Sequence, residues 1–321
     1  MVDLATMKSL TEWPKARKAI IQAVKQVFGA LPKDHVELQV KVVDETSGPS
    51  YVRQRINYFV DEWERVSAWL FIPEGKDEVP GILCCHRRVP QGKEEAAGIE
   101  GDPRLAFAHH YASLGYATIA PDSVAAGERA PHGLDPFDTS HLYRDNPKMS
   151  ALGKMLVDNV HALDALCETK RVDVERLGVV GHGLGGTAAL ILASLDERIQ
   201  ACVASCGFTR FADDSRPQRW VDDDGFSALP KLKEAVEGNS FPFDWEHLLA
   251  LAAPNPTLLI TALNDEVLAK TRSCGKAVKL AQTVYALLGE AEALQNHEHH
   301  DGHSMTEECL ARADEWFERW L

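Results

Sequence analysis

The segment 179–186, VVGHGLGG, reads as a strand entering a tight turn and leaving it into the helix TAALILASL. On such a turn the pattern G-x-S-x-G presents a serine whose hydroxyl attacks a carbonyl carbon. The centre of the pattern here is Gly183. A residue carrying a Cβ on that strained turn, often at positive φ, costs on the order of 1–3 kcal/mol. Glycine removes the strain and the nucleophile together, which excludes ordinary acyl-enzyme chemistry at this position. Cys206 ends the strand after the elbow helix and Cys85 the strand GILCCH, and both read as small core residues, because free cysteine is among the most buried residue types. Ser205 and Ser123 read as plain loop serines. The cluster His297, His299, His300 and His303 has no second His/Cys/Asp group at fixed ligand spacing, so neither a metal nor another cofactor is expected.

The elements that would hold this turn follow from the texture of the chain. An amphipathic helix is expected over about 11–31, followed by three β-like runs, VELQVKVV, RINYFV and VSAWLFIP, as an antiparallel lead-in within 1–50 and just beyond. From Pro80 onward strands alternate with helices, from GILCCH through RLGVVG, IQACVASC, PTLLITAL and EALQNHE to the helix TEECLARADEWFERWL. That alternation requires a mostly parallel sheet with helices on both faces, an α/β fold read as one domain over 1–321. Two polar stretches rich in Pro, Gly and Asp, 123–148 and 209–254, exceed ordinary connections and are expected to form caps above the carboxyl ends of the strands.

Bulk properties narrow the partners. With 34 basic against 48 acidic residues the net charge is -14, interspersed and without a basic stripe, which argues against nucleic acid and anionic membrane. No apolar run reaches the roughly 18 residues of a membrane span, and the opening MVDLATMKSLTEWPKARK has no secretory signature. The odd number of cysteines, 7, scattered through apolar runs, reads as free thiols in a reducing compartment, so a cytoplasmic location is expected. The expected partner is a small molecule, and self-association into a homo-oligomer is compatible with the sequence.

The order VPGILCCHRRVPQGKEEAAG, ATIAPDSVAAGER, RVDVERLGVVGHGLGG, LDERIQACVASCG, LAAPNPTLLITALND and DGHSMTEE resembles the α/β-hydrolase superfamily, and within it the dienelactone hydrolase and acetyl xylan esterase-like branch, over most of the chain. The resemblance implies a nucleophile on the strand-to-helix turn, an acid after a later strand and a histidine after the last strand. Asp265, following PTLLITAL and Asn264, matches the acid; His303 in DGHS matches the histidine. The run Ser304–Glu307 has the S-x-x-E form of a capping box that would hold the histidine loop. The resemblance also implies an oxyanion hole from the backbone N–H groups of Leu184 and of the loop near Arg87, with His86, Arg88 and His182 as further pocket candidates. Arg87 and Arg88 read either as surface arginines or as recognition of an anionic substrate group.

Three readings of function follow. In the first, an Asp265–His303 dyad acts as general base on water or on a substrate proton in the space beside Gly183, with a small ester, lactone or related carbonyl compound as substrate. In the second, the capped pocket is a non-catalytic receptor. In the third, the protein is an esterase whose serine was replaced by glycine deliberately.

Overall fold

The computed structural model describes residues 1–29, 37–61, 64–75 and 77–321. Among them, nine strands form one sheet: β1 (Lys41–Ser47), β2 (Tyr51–Phe59), β3 (Arg65–Pro73), β4 (Val79–Cys85), β5 (Ala117–Pro121), β6 (Val172–His182), β7 (Ile199–Ser205), β8 (Thr257–Ala262) and β9 (Leu294–His299). Their spatial order is β1-β2-β3-β5-β4-β6-β7-β8-β9. The first three strands and the β3–β5 pair are antiparallel, and every pairing from β5 to β9 is parallel. The central strands are near-continuous apolar runs because both their faces are covered, as parallel strands require.

The helices are α1 (Trp13–Phe28), α2 (Lys93–Ala96), α3 (Phe107–Ser113), α4 (Ser140–Asp145), α5 (Ala151–Cys167), α6 (Leu184–Leu195), α7 (Lys233–Glu237), α8 (Trp245–Ala252), α9 (Arg272–Leu287) and α10 (Glu307–Trp320). Helices α1, α5, α6, α8 and α9 bury their apolar sides in one core on one face of the sheet. On the other face α3 and α10 build a second, aromatic core around Tyr111 and Phe317, whose rings meet edge to face at 5.1 Å. Side chains buried this completely each contribute about 1.5–3 kcal/mol.

Four expectations need correction. The first lead-in strand is β1 at Lys41–Ser47, displaced towards the carboxyl end from 36–43. The hairpin sets its register, with Gly48 N–H donating to Tyr51 O at 2.8 Å, and β1 is an exposed edge whose valines Val42 and Val43 contact no core. Helix α1 opens with Pro14 in its first turn and ends at Gly29, whose φ is 94°, shorter than 11–31; part of that expected span lies outside the described residues. The start of α10 is capped by Thr306, whose Oγ1 accepts from Cys309 N–H at 3.1 Å, while Ser304 stays outside the helix and donates to Asp301 O. Lastly, 209–254 is not all cover: α8 is buried from end to end, is capped by Asp244 with His247, and packs against α6 and α9.

Candidate functional site

The turn between β6 and α6 gathers the chemistry-bearing side chains at the carboxyl edge of the sheet. Helix α6 starts directly at the end of β6, and its first turn passes the end of β4 so closely that a Cβ on Gly185 would lie 2.2 Å from Cys85 O. Gly183 sits at φ 57°, in the left-handed region, with its N–H donated to Ser205 O at 2.9 Å. A Cβ built on Gly183 would stand 3.1 Å from His303 Nε2 and 3.5 Å from the Cβ of Arg87. The imidazole therefore faces the place where a side chain at 183 would be.

His303 is oriented from behind. Its Nδ1 bonds Asp265 Oδ2 at 2.8 Å, and its backbone N–H donates to Glu266 Oε2 at 2.9 Å. Asp265 follows β8 in a tight turn, where Oδ1 accepts the N–H groups of Val267 and Leu268 at 2.8 and 2.7 Å. Burial alone would raise the pKa of this carboxyl. The hydrogen bonds from His303 and the two backbone N–H groups outweigh it and hold the group below its ordinary range. An ionised Asp265 fixes the tautomer with the proton on Nδ1, leaving Nε2 with a free lone pair. Such an imidazole can accept a proton from a group beside Gly183.

The loop after β4 supplies the opposite wall. His86 is buried, and its Nε2 accepts Ser123 N–H at 3.0 Å, which puts its proton on Nδ1 for donation to Arg87 O at 2.6 Å. At the far end of the loop Asp122 accepts the backbone N–H of Lys93 at 2.9 Å and its ammonium at 2.7 Å, both side chains being buried. The stretch carrying Arg87 is thus tied at both ends to the segment after β5.

A cavity of about 310 Å³ opens over Gly183, Leu184 and His303. Of the expected pocket residues, Arg87 and Arg88 line it, whereas His86 and His182 do not. His182 is the last residue of β6 and turns beneath the site. Its Nδ1 meets Ser205 Oγ at 2.9 Å and its ring lies 4.6 Å from that of His303. Burial, with smaller contributions from the nearby charges of His303 and Arg87, lowers its pKa to about 3, so it is neutral at ordinary pH. The Arg87 guanidinium turns away onto Glu95 in two bonds of 3.0 and 2.9 Å. Arg88 pairs with Asp223 at 2.7 Å and lies over the rings of Phe137 and Phe226, which links the two inserted segments.

Besides Thr187 and Gly207, the lining includes residues that no motif marked: Arg216, Arg219, Trp220, Asp223, Phe226 and Ala228 from the second insertion, and Val267 and Leu268 from the Asp265 turn. The only signal for those of the second insertion was their place in a long polar connection. Cys206 also borders the cavity; its thiol lies within 4.8 Å of the ligand atoms of Asp265 and His303, and burial pushes its pKa up to about 12.

Residues 3–315 match the model of the Abhydrolase family. The chain belongs to that family. Among relatives of this Abhydrolase, the protein named "Putative hydrolase YtaP" from Bacillus subtilis (strain 168) is 27% identical over 268 residues, covering 80% of this chain and 84% of that protein. The glucuronoyl esterase from Solibacter usitatus superposes with a TM-score of 0.75 over 97% of this chain and 94% of its own, at 16% identity. An acetyl xylan esterase from Paenibacillus sp. R4 gives 0.63 over 98% and 96%, at 19% identity. These superpositions establish a shared α/β-hydrolase fold. Among the described residues, no helix is long and apolar enough to cross a membrane.

Proposed function

We propose that this Abhydrolase acts on a small carboxylic ester, lactone or related carbonyl compound without a covalent acyl-enzyme. Gly183 stands at the nucleophile position of the fold, and a water takes the place of the missing hydroxyl. The observation that carries the reading is the 3.1 Å from a Cβ at 183 to His303 Nε2, with that ring bonded behind to an ionised Asp265.

The substrate carbonyl lies over Gly183 with its oxygen towards the N–H groups of Leu184 and Arg87. His303 Nε2 takes a proton from water as the water oxygen bonds to the carbonyl carbon, and the carbonyl π pair moves onto oxygen, where the two N–H groups stabilise it. Asp265 stabilises the imidazolium. When the tetrahedral adduct collapses, the carbon–oxygen bond to the leaving group breaks, and the departing alkoxide takes the proton back from Nε2. The products are a carboxylic acid and an alcohol, and His303 is regenerated neutral.

A fluorophosphonate probe separates this reading from one with a displaced nucleophile. The protein should remain unlabelled, hydrolyse short esters slowly without a burst, and lose that hydrolysis in His303→Ala. Stoichiometric labelling mapped to Cys206 or Ser205 overturns the water mechanism. Binding of carbonyl compounds with no turnover, unchanged in His303→Ala, supports a receptor instead.

A further inference from the structure

The histidines clustered in sequence, His297, His299, His300 and His303, do not share one point in the fold. Among the described residues, the one group of three metal-ligating side chains whose ligand atoms lie within 4.8 Å of one another is Cys206, Asp265 and His303. These residues follow β7, β8 and β9, and only the parallel pairing of those strands brings their ends side by side. No spacing in the sequence marks them as a set.

Cys206 carries its Cβ at φ 48°, in the left-handed region, with its N–H donated to Ile260 O at 2.8 Å. That conformation costs on the order of 1–3 kcal/mol for a residue other than glycine, so a side chain kept there points to a use for the thiol. The water mechanism gives it none. Asp265 spends Oδ1 on two backbone N–H groups, whereas among the described residues Oδ2 meets only His303 Nδ1, at 2.8 Å. One oxygen is thus braced from behind, as ligating carboxylates are, and the other keeps a lone pair. A thiolate and a carboxylate together cancel the charge of a divalent cation, which burial demands: the Asp265 side chain is fully covered and Cys206 is buried. Sulfur, imidazole nitrogen and one carboxylate oxygen form a zinc donor set with a fourth position left for water, whereas magnesium and calcium call for oxygen ligands. Tetrahedral zinc with bonds of about 2.0–2.3 Å holds its ligands roughly 3.3–3.8 Å apart, so Nδ1 and Oδ2 open slightly and the thiol draws in by up to about 1 Å.

We propose that Cys206, Asp265 and His303 form a site for a thiophilic divalent cation such as zinc, and that the bound ion disables His303 as a base. Zinc takes Nδ1, Oδ2 and the sulfur. The thiol proton leaves to solvent and the ring proton passes from Nδ1 to Nε2, with no change of oxidation state. Nε2 then donates where it had accepted, and takes no proton from water. Binding of the ion is independent of the proposed hydrolysis, while the inhibition rests on it.

Calorimetric titration of the full chain with zinc chloride, beside magnesium chloride, tests the site. One zinc should bind per chain with a Kd of about 1 μM or tighter, and magnesium should give no saturable heat. Cobalt should give a thiolate-to-metal absorption band. Cys206→Ser and Cys206→Gly should each weaken zinc at least about 10-fold and abolish that band, and the glycine variant also relieves the strained φ, which protects its folding. No binding by the parent, or binding that persists in both variants because the ion sits on the surface histidines, overturns the site. Nitrogen NMR of the His303 ring reads the tautomer without any substrate: zinc should move the proton to Nε2, and a proton that stays on Nδ1 overturns the switch. Ester hydrolysis should fall as zinc binds and return with a chelator, and zinc-enhanced hydrolysis likewise overturns the switch. A parent that binds zinc through Cys206 but hydrolyses no ester overturns the water mechanism and leaves the metal site standing.

Discussion

The floor and the roof of the cavity are held by different forces. On the floor, Gly183, Leu184, Asp265 and His303 hang from the ends of three parallel strands, and backbone N–H groups fix them: Gly183 through Ser205 O, and Asp265 through the amides of residues 267 and 268. On the roof, 216–228 is irregular and is tied down by side chains, through Arg219 on Asp214, Arg88 on Asp223, and the ring contact of Phe137 with Phe226 at 6.0 Å. Of these ties the Arg88–Asp223 pair is partly exposed and contributes about 0–1 kcal/mol, so that side of the roof costs little to rearrange, whereas Arg219 on Asp214 is buried. The proposed function assigns chemistry to the floor and selectivity to the roof, in keeping with that division.

The sharpest test puts a hydroxyl back on the floor. Gly183→Ser should raise hydrolysis of an aryl acetate by roughly 100-fold or more over the parent and give a burst phase, a modest part of what a full triad supplies. His303 must yield by a few tenths of an ångström to admit the Cβ, and the left-handed turn adds strain on the order of 1 kcal/mol, read as a small loss in Tm. Suppose the variant folds, a crystal places the hydroxyl within hydrogen-bond reach of His303, and no ester is cleaved while the parent turns over another compound. Glycine is then the working residue.

A second test addresses the rigidity of the floor through pH. His182 has a folded pKa of about 3 against an ordinary value near 6.5, so between those values the unfolded chain binds a proton that the folded chain refuses. Stability should therefore fall as the solution is acidified through that window, by up to about 1.4 kcal/mol per pH unit from this group. Urea titrations of His182→Asn should show a flatter dependence than the parent. An unchanged slope would mean that His182 is not buried as a neutral ring. Asp265, with its pKa lowered, adds stability above the unfolded carboxylate pKa that disappears as pH falls through the folded value.

The smallest expected effect belongs to the roof. Asp223→Asn removes an exposed partner of Arg88 and should change stability by about 0.5 kcal/mol or less, while altering KM more than kcat because it loosens a wall rather than the reacting groups. A loss of kcat larger than the change in KM would show that roof and floor are coupled.

The same division explains what could be read from residue order. The strand–turn–helix around Gly183 and the positions of Asp265 and His303 were legible because local patterns specify them: an apolar run, a glycine turn, and an acid or histidine directly after a strand. The residues of the roof were not, because Arg216, Trp220 and Phe226 meet the floor only after 209–254 folds back over it, and no period or turn motif encodes that path. Helix α8 was missed for a related reason. Its eight residues are buried all round, with Glu246 paired to Arg210 and His247 bonded to Val2 O, and so they lack the solvent-facing polar side that marks a surface helix.

His86 and His182 mark the boundary most clearly. Their place in the sequence made both candidates for the pocket, but both rings are buried away from the cavity, His182 against Ser205 beneath the floor and His86 against the Ser123 N–H and Phe137 behind the wall. The sequence by itself determined the parallel α/β architecture and the order glycine, aspartate, histidine, because short-range periodicity and turn chemistry are local. The tertiary structure decided that Nε2 of His303 faces the open space over Gly183, and that Arg216, Trp220 and Phe226 of the second insertion line that space. Those facts depend on distances between segments far apart in the chain, set by packing.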